Sequence, residues 1–419
     1  MKYKTYNCNS FNIYTIKTDR FKTSHLEVIF KNVLKKEEIG TYSFLADMLS
    51  EGCKKYPRKK DLITRFEELY KIVIYASTMR VGNVIDLHVS LDFINPEYIE
   101  DEGYIEDVIK TLFEVILNPN VCNDEFDLKT FNIVKERLRR EINSLKENPV
   151  KQSIKEAIKT MDSNSPTSYE ILGTIEELEN ITPAKLYNAY KSLRKNFKVD
   201  VFLIGNLDMD NVASLIKKYF KNRYIVSDNF EVMVDNKETK KVKVKAMKSD
   251  NIQTNLVMLF NLKNLSELEK NITLNCFNYL YGSGGLTSKL YKSIREENSL
   301  CYAINSMYLK YDKLLMVQIS LDNCNVKKAI SLVKKELKNM QNGNFSEEEV
   351  RDAINNMVIS LDMSLDNNIA ILNNYVFNIY DKLPSIEERK EYFKKLTKED
   401  IVNVSKKVKL NTIFTLEGR

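Results

Sequence analysis

Apolar and polar positions alternate in short runs, and two of those runs match each other across the chain. Residues 22–31 (K-T-S-H-L-E-V-I-F-K) and 253–262 (Q-T-N-L-V-M-L-F-N-L) share a period of two, with Leu26 and Leu256, and Phe30 and Phe260, each 230 residues apart. A period of two sends successive side chains to opposite faces of a strand. Each run precedes a helical pattern, over 41–51 in the first copy and 272–281 in the second. The copies also end alike. Thr182 opens a helix leading to a strand at 201–205, and Thr397 opens one leading to a strand at 413–418. Hydroxyls at those two positions predict N-caps that accept from the first free backbone N–H groups. Long amphipathic helices are predicted over 124–145 and 346–365. The chain therefore reads as one plan carried out twice: a strand–helix–strand meander, long helices, then a terminal helix and strand.

Residues 84–93 (V-I-D-L-H-V-S-L-D-F) alternate cleanly, the pattern of an antiparallel sheet with one covered face. Helices packed on that face give an α+β layer and disfavour a parallel, doubly wound fold. A length of 419 residues exceeds the roughly 250–300 at which single cores stop growing. Two homologous α+β domains are expected, 1–225 and 240–419, with a junction near 222–240 where Lys, Asp and Asn dominate. A hydrophobic content of 43% with 11 Gly and 7 Pro fills two cores and leaves little for disordered linkers.

Composition narrows the function classes. The first 17 residues lack the run of roughly seven or more apolar residues that a signal-peptide core needs. No stretch approaches the roughly 18 that span a bilayer. The expectation is a soluble, cytoplasmic chain with no membrane partner. Six scattered cysteines (Cys8, Cys53, Cys122, Cys276, Cys301, Cys324), with no C-x-x-C pair, suit neither a disulfide framework nor a thiolate metal site. The net charge of +6 comes from 64 basic and 58 acidic residues that are interspersed, which argues against a nucleic-acid partner. The densest basic run, 237–248 (K-E-T-K-K-V-K-V-K-A-M-K), reads as a strand with one solvated face.

Residues 42–57 (Y-S-F-L-A-D-M-L-S-E-G-C-K-K-Y-P) resemble the first active-site helix of the pitrilysin, insulinase and mitochondrial processing peptidase family. Working members carry H-x-x-E-H there, followed by Gly-Thr and often Tyr-Pro. Phe44, Leu45, Met48 and Leu49 form the apolar face, so Ser43, Ala46 and Asp47 share another face at i, i+3 and i+4. Those three fall where the family places two His ligands and its Glu base. Zinc hydrolysis needs two neutral imidazoles, a ligand carboxylate and a second carboxylate for the metal-bound water. Ser, Ala and Asp cannot supply that set. The later family Glu is matched by Glu141, which without His neighbours reads as an exposed helical residue paired with Arg137. Only two histidines exist, His25 and His88, and each reads as an ordinary surface or pocket residue. No metal is expected in this chain.

The second copy is different. Residues 281–302 (Y-G-S-G-G-L-T-S-K-L-Y-K-S-I-R-E-E-N-S-L-C-Y) are similar to the family's C-terminal substrate-holding element, a Gly-rich turn, a short helix with an Arg, and a Tyr seven residues on. Arg295 and Tyr302 match that pair, and Gly282, Gly284 and Gly285 supply the turn. An Arg fork and a Tyr hydroxyl can hold a peptide's carbonyls or carboxylate, and a Gly turn admits a chain closely. The bland alternatives are a salt bridge from Arg295 to a neighbouring Glu, and Tyr302 as a strand aromatic.

The resemblance covers nearly the whole chain and is closest to YfmF-like bacterial members, which lack the zinc motif and occur beside a zinc-bearing sister. It implies a non-catalytic subunit that binds extended peptide for an H-x-x-E-H partner, with zinc only in that partner. A homodimer is the other pairing. The alternative function is a peptide-binding or assembly protein, with a regulatory role and no proteolytic complex. Activity as a stand-alone peptidase is not expected.

Overall fold

The computed structural model describes residues 2–222, 224–227, 229–237 and 239–419. Arg223, Asp228 and Glu238, inside the expected junction, lie outside the described residues. The chain forms two compact units. The first comprises Met1–Asn143, Tyr169–Val232 and Asn367–Val376, and the second Ser144–Ser168, Met233–Asp366 and Phe377–Arg419. Each sequence copy thus lends a segment to the unit built mainly by the other.

In the first unit, β1 (Lys2–Asn7), β2 (Phe11–Lys17), β3 (Thr23–Val33), β4 (Val73–Val81), β5 (Val84–Ile94) and β8 (Lys198–Gly205) form a six-stranded sheet in the order β1-β2-β8-β3-β5-β4. A small hairpin, β6 (Val121–Cys122) and β7 (Glu125–Phe126), stands apart from it. All neighbours in the large sheet are antiparallel except β2 and β8. Alternation sends Leu26, Val28 and Phe30 of β3, and Leu87, Val89 and Leu91 of β5, into one core. Helices α1 (Ile39–Leu49) and α3 (Tyr104–Leu117) meet that face with Phe44, Leu45, Val108 and Leu112. Another helix, α2 (Lys59–Glu68), adds Leu62. The next, α4 (Leu128–Glu147), begins after Asp127 accepts from the Thr130 N–H at 2.8 Å, and stacks Phe131 on Phe44 at 4.8 Å.

The second unit repeats the plan with β9 (Lys243–Lys248), β10 (Thr254–Leu262), β11 (Cys301–Leu309), β12 (Leu314–Leu321) and β13 (Val408–Glu417), in the order β11-β12-β10-β13-β9. The fold is α+β with antiparallel-dominated sheets, as expected. Leu256, Met258 and Phe260 face a core completed by Ile272, Phe277 and Tyr281. The opposite face is covered by α5 (Pro149–Asp162), whose Ala157, Ile158 and Met161 pack on Val257, Leu259, Met316 and Phe414. Both predicted threonine caps form: Thr182 accepts from the Lys185 N–H and Thr397 from the Asp400 N–H, each at 3.2 Å.

The helical segment expected over 272–281 forms, as an α-turn (Leu274–Asn278) between wide, five-residue helical turns at Glu269–Thr273 and Tyr279–Ser283. One detail differs from the sequence reading. The basic run yields β9, but Val244 is 72% exposed beside its lysines, because β9 is an edge strand that pairs, among the described residues, with β13 alone.

Candidate functional site

On α1, Ser43 and Ala46 are buried and Asp47 is half-buried. The Ser43 hydroxyl donates to the Ile171 carbonyl and lies 2.6 Å from Thr78 Oγ1, so it is committed to the fold. The Asp47 carboxylate lies 3.2 Å from Arg137 Nη2, and Arg137 Nη1 donates to Glu51 at 2.7 Å. One guanidinium of α4 therefore forks across two carboxylates at the end of α1, a geometry that adds direction as well as charge. Burial pushes the Asp47 carboxyl above its usual value, against the charge and hydrogen bond of Arg137.

Glu141 is exposed, and among the described residues no hydrogen bond or ion pair joins it to Arg137 or Asp47. The pairing of Glu141 with Arg137 expected from helical spacing is thus replaced: Arg137 turns to α1, where two carboxylates outbid one. Among the described residues no group of three His, Cys, Asp or Glu is placed to hold a metal ion. A methyl at Ala46, a tied hydroxyl at Ser43 and a guanidinium against Asp47 do not fit the zinc that H-x-x-E-H helices carry. Beside them the edge of β4 is partly closed, the Ala76 N–H donating to Ser50 Oγ at 3.0 Å.

The two histidines are not at the surface. His25 is 0% and His88 8% exposed. His25 Nδ1 lies 2.7 Å from Asp92 and His88 Nδ1 2.8 Å from Glu27, on the face of the first sheet opposite its apolar core. Strand pairing explains the burial: both sit on the central strands β3 and β5.

In the second unit the glycines divide by role. A Cβ at Gly282 would stand 2.6 Å from Ser306 Oγ, and one at Gly284 2.7 Å from the Tyr279 carbonyl. Both are close-packing positions. Gly285 has φ +59° and open space around it, so there the backbone conformation alone demands glycine. Arg295 is exposed on the wide turn Tyr291–Glu296 and stacks 5.1 Å over the Tyr291 ring. Among the described residues it makes no ion pair with Glu296 or Glu297; the wide turn aims it over the aromatic ring instead.

Tyr302 begins the edge strand β11 and is 55% exposed. In the register of β11 on β12, Cys301 pairs with Leu321 and Ala303 with Ser320, so Tyr302 is the extra residue of a β-bulge. A bulge re-aims the side chain it carries. The Tyr302 hydroxyl donates to Asp322 at 3.3 Å, and the nearby carboxylate raises the phenol above its usual value. The bulge and Asp322 left no sequence signal, since both depend on strand register. Arg137 lies within the helix predicted over 124–145, but its partners on α1 depend on a contact between distant elements.

Residues 180–357 match the family model described as the Peptidase M16 inactive domain. The chain is 26% identical over 412 residues to "Probable inactive metalloprotease YmfF" of Bacillus subtilis, covering 96% of this chain and 95% of the relative. The chain is thus similar to inactive M16 peptidase homologues. In structure, a conserved protein from Enterococcus faecalis superposes with a TM-score of 0.93 at 23% identity, over 100% of this chain and 99% of that one. A peptidase M16 inactive domain from Pseudomonas fluorescens superposes with a TM-score of 0.81 at 16% identity, over 100% and 99%. The chain thus shares the fold of these proteins, while the positions that resemble the H-x-x-E-H motif are filled by Ser43, Ala46 and Asp47.

Proposed function

We propose that this chain is the substrate-holding, non-catalytic subunit of a two-chain zinc peptidase, binding extended peptide for a partner that carries H-x-x-E-H. The observation that carries the reading is the contrast between the two elements. Arg137 closes the α1 position against a metal, whereas Arg295 stays exposed with no carboxylate partner among the described residues, and Tyr302 is turned out by a bulge on an edge strand. An extended peptide adding to the free edge of β11 gains main-chain hydrogen bonds, and the Arg and Tyr side chains hold its carbonyls or terminus. Gly282, Gly284 and Gly285 keep the turn before that strand compact. Zinc belongs to the partner. Six free thiols, two of them exposed, suit a reducing, cytoplasmic setting.

The test is to isolate the tagged chain from its own cells and identify what co-purifies, then to measure peptide cleavage by the reconstituted pair. A stoichiometric sister with H-x-x-E-H is expected. Arg295→Ala should leave assembly intact and lower kcat/KM about tenfold or more, a loss of about 1.4 kcal/mol of transition-state binding. Unchanged kinetics would remove the substrate-holding role. Recovery as a homodimer, or with proteins unrelated to peptidases, would move the function to peptide binding or assembly without proteolysis.

A further inference from the structure

The second unit carries a pocket of about 640 Å³ that shares no described lining residue with the Arg295–Tyr302 element. Leu268, Ile272, Pro384 and Tyr392 give it an apolar wall, in which Leu268 and Tyr392 are exposed. Its carboxylates are already paired: Glu267 with Lys270 at 2.5 Å, and Asp381 with Lys310 at 3.5 Å and with the Tyr311 hydroxyl. The remaining lining charge, Lys382, is exposed to solvent. No buried charge in the wall therefore calls for a counter-ion.

What is left unpaired is an amide. Asn271 lines the pocket with 7% of its surface exposed, and its Oδ1 is buried without a hydrogen-bond partner. Among the described residues its Nδ2 makes no hydrogen bond either. Its main-chain carbonyl, by contrast, accepts from Asn275 Nδ2 at 2.9 Å. A buried amide without a partner destabilises a fold, and in native proteins it marks a place that a water or a ligand completes. The backbone beneath it is also unusual. Asn271 is the middle residue of the wide turn Glu269–Thr273, whose i→i+5 bonding moves side chains off regular helical spacing. The first copy does without such a turn: 230 residues earlier, α1 is a regular helix over Ile39–Leu49. The wide turns at Tyr279–Ser283 and Tyr291–Glu296 carry Gly282 and Arg295.

An asparagine side chain offers one acceptor and one donor side by side, a pair that another amide completes with two hydrogen bonds. An apolar wall around it, in a pocket of this size, takes up a body of aromatic dimensions. We infer that this pocket binds a neutral amide joined to an apolar body, the amide N–H and C=O pairing with Asn271 and the apolar part lying on Leu268, Ile272, Pro384 and Tyr392. Small amides and a peptide segment share that chemistry.

The chain contains no tryptophan, so the fluorescence of N-acetyltryptophanamide reports its own surroundings when it is titrated with the full-length protein. A saturable blue shift of its emission is expected. 3-Methylindole, which has the ring without the amide, should bind about tenfold more weakly. Asn271→Leu removes the amide at similar volume. It should weaken N-acetyltryptophanamide about tenfold and leave 3-methylindole no weaker, a crossover that general damage to the pocket would not give. Without ligand the variant should melt at the same temperature or higher, since it removes a buried polar group that has no partner. If it melts lower, Tyr392→Ala, whose ring is exposed, takes its place and should weaken both probes. Tighter binding of a blocked pentapeptide with a central tryptophan assigns the site to a peptide segment, and equal or weaker binding assigns it to small amides. No saturable shift, or a shift that the substitution leaves unchanged, overturns the proposal.

Discussion

Arg137 is where the α1 site is decided. It joins Asp47 and Glu51, whose side chains are 30% and 11% exposed, while its own is 47% exposed. Removing a partner from a buried pair costs roughly 3–5 kcal/mol, and from an exposed one about 0–1. Arg137→Ala should therefore destabilise by about 1–2 kcal/mol in a urea titration. The His88–Glu27 pair makes a pH prediction. Burial pushes the Glu27 carboxyl up, but the hydrogen bond and charge of His88, the charge of His25 and the Ser90 hydroxyl bring it below its ordinary 4.5. Burial pushes His88 down, and Glu27, with Asp86, carries it above 6.5. The His88 contribution is complete below 6.5 and lost as pH rises through its raised folded value; the Glu27 contribution is complete above 4.5 and lost as pH falls through its lowered one. The pair stabilises most between those values, so the melting temperature should decline on the alkaline side of 6.5.

At the scale of elements, the duplication supplies its own control. Strand register places Glu27 opposite Ser90 and Phe202 in the first sheet, as Val257 lies opposite Gln318 and Phe414 in the second. By the same count His88 corresponds to Met316 and Asp86 to Leu314. One copy buries charges where the other buries the apolar residues that meet α5. Glu27→Val alone strands His88 in the interior and should cost about 3 kcal/mol or more, whereas Glu27→Val/His88→Met copies the second sheet and should recover most of it. The double variant should also lose the alkaline decline in melting temperature. In the Gly-rich turn, Gly285→Ala should cost about 1 kcal/mol from its left-handed backbone. Gly282→Ala, driven into Ser306, should cost about 1–3 kcal/mol as overpacking. Thermal or chemical unfolding of the two variants separates these causes.

For the whole molecule, the two sequence copies are not independent bodies. The second unit includes Ser144–Ser168 and the first includes Asn367–Val376. A fragment of residues 1–225 would carry α5 with Ala157, Ile158 and Met161 exposed, its sheet absent. Such a fragment should aggregate or run as an oligomer in size-exclusion chromatography, and co-expression with residues 226–419 should restore a soluble pair. A monomeric, cooperatively folded 1–225 fragment would show that the exchange is dispensable.

The sequence by itself determined the duplication, the α+β class, the threonine caps at Thr182 and Thr397, and the loss of imidazoles at Ser43 and Asp47. These follow from local periodicity and residue chemistry, which do not depend on what lies across the fold. The tertiary structure alone decided that Arg137 closes on Asp47 and Glu51, that Tyr302 sits on a bulge, that His25 and His88 are buried against carboxylates, and that α5 covers the second sheet. Each of these depends on strand register or on a contact between distant segments. Side-chain spacing along one element carries no information about which partner chain folding will bring opposite it.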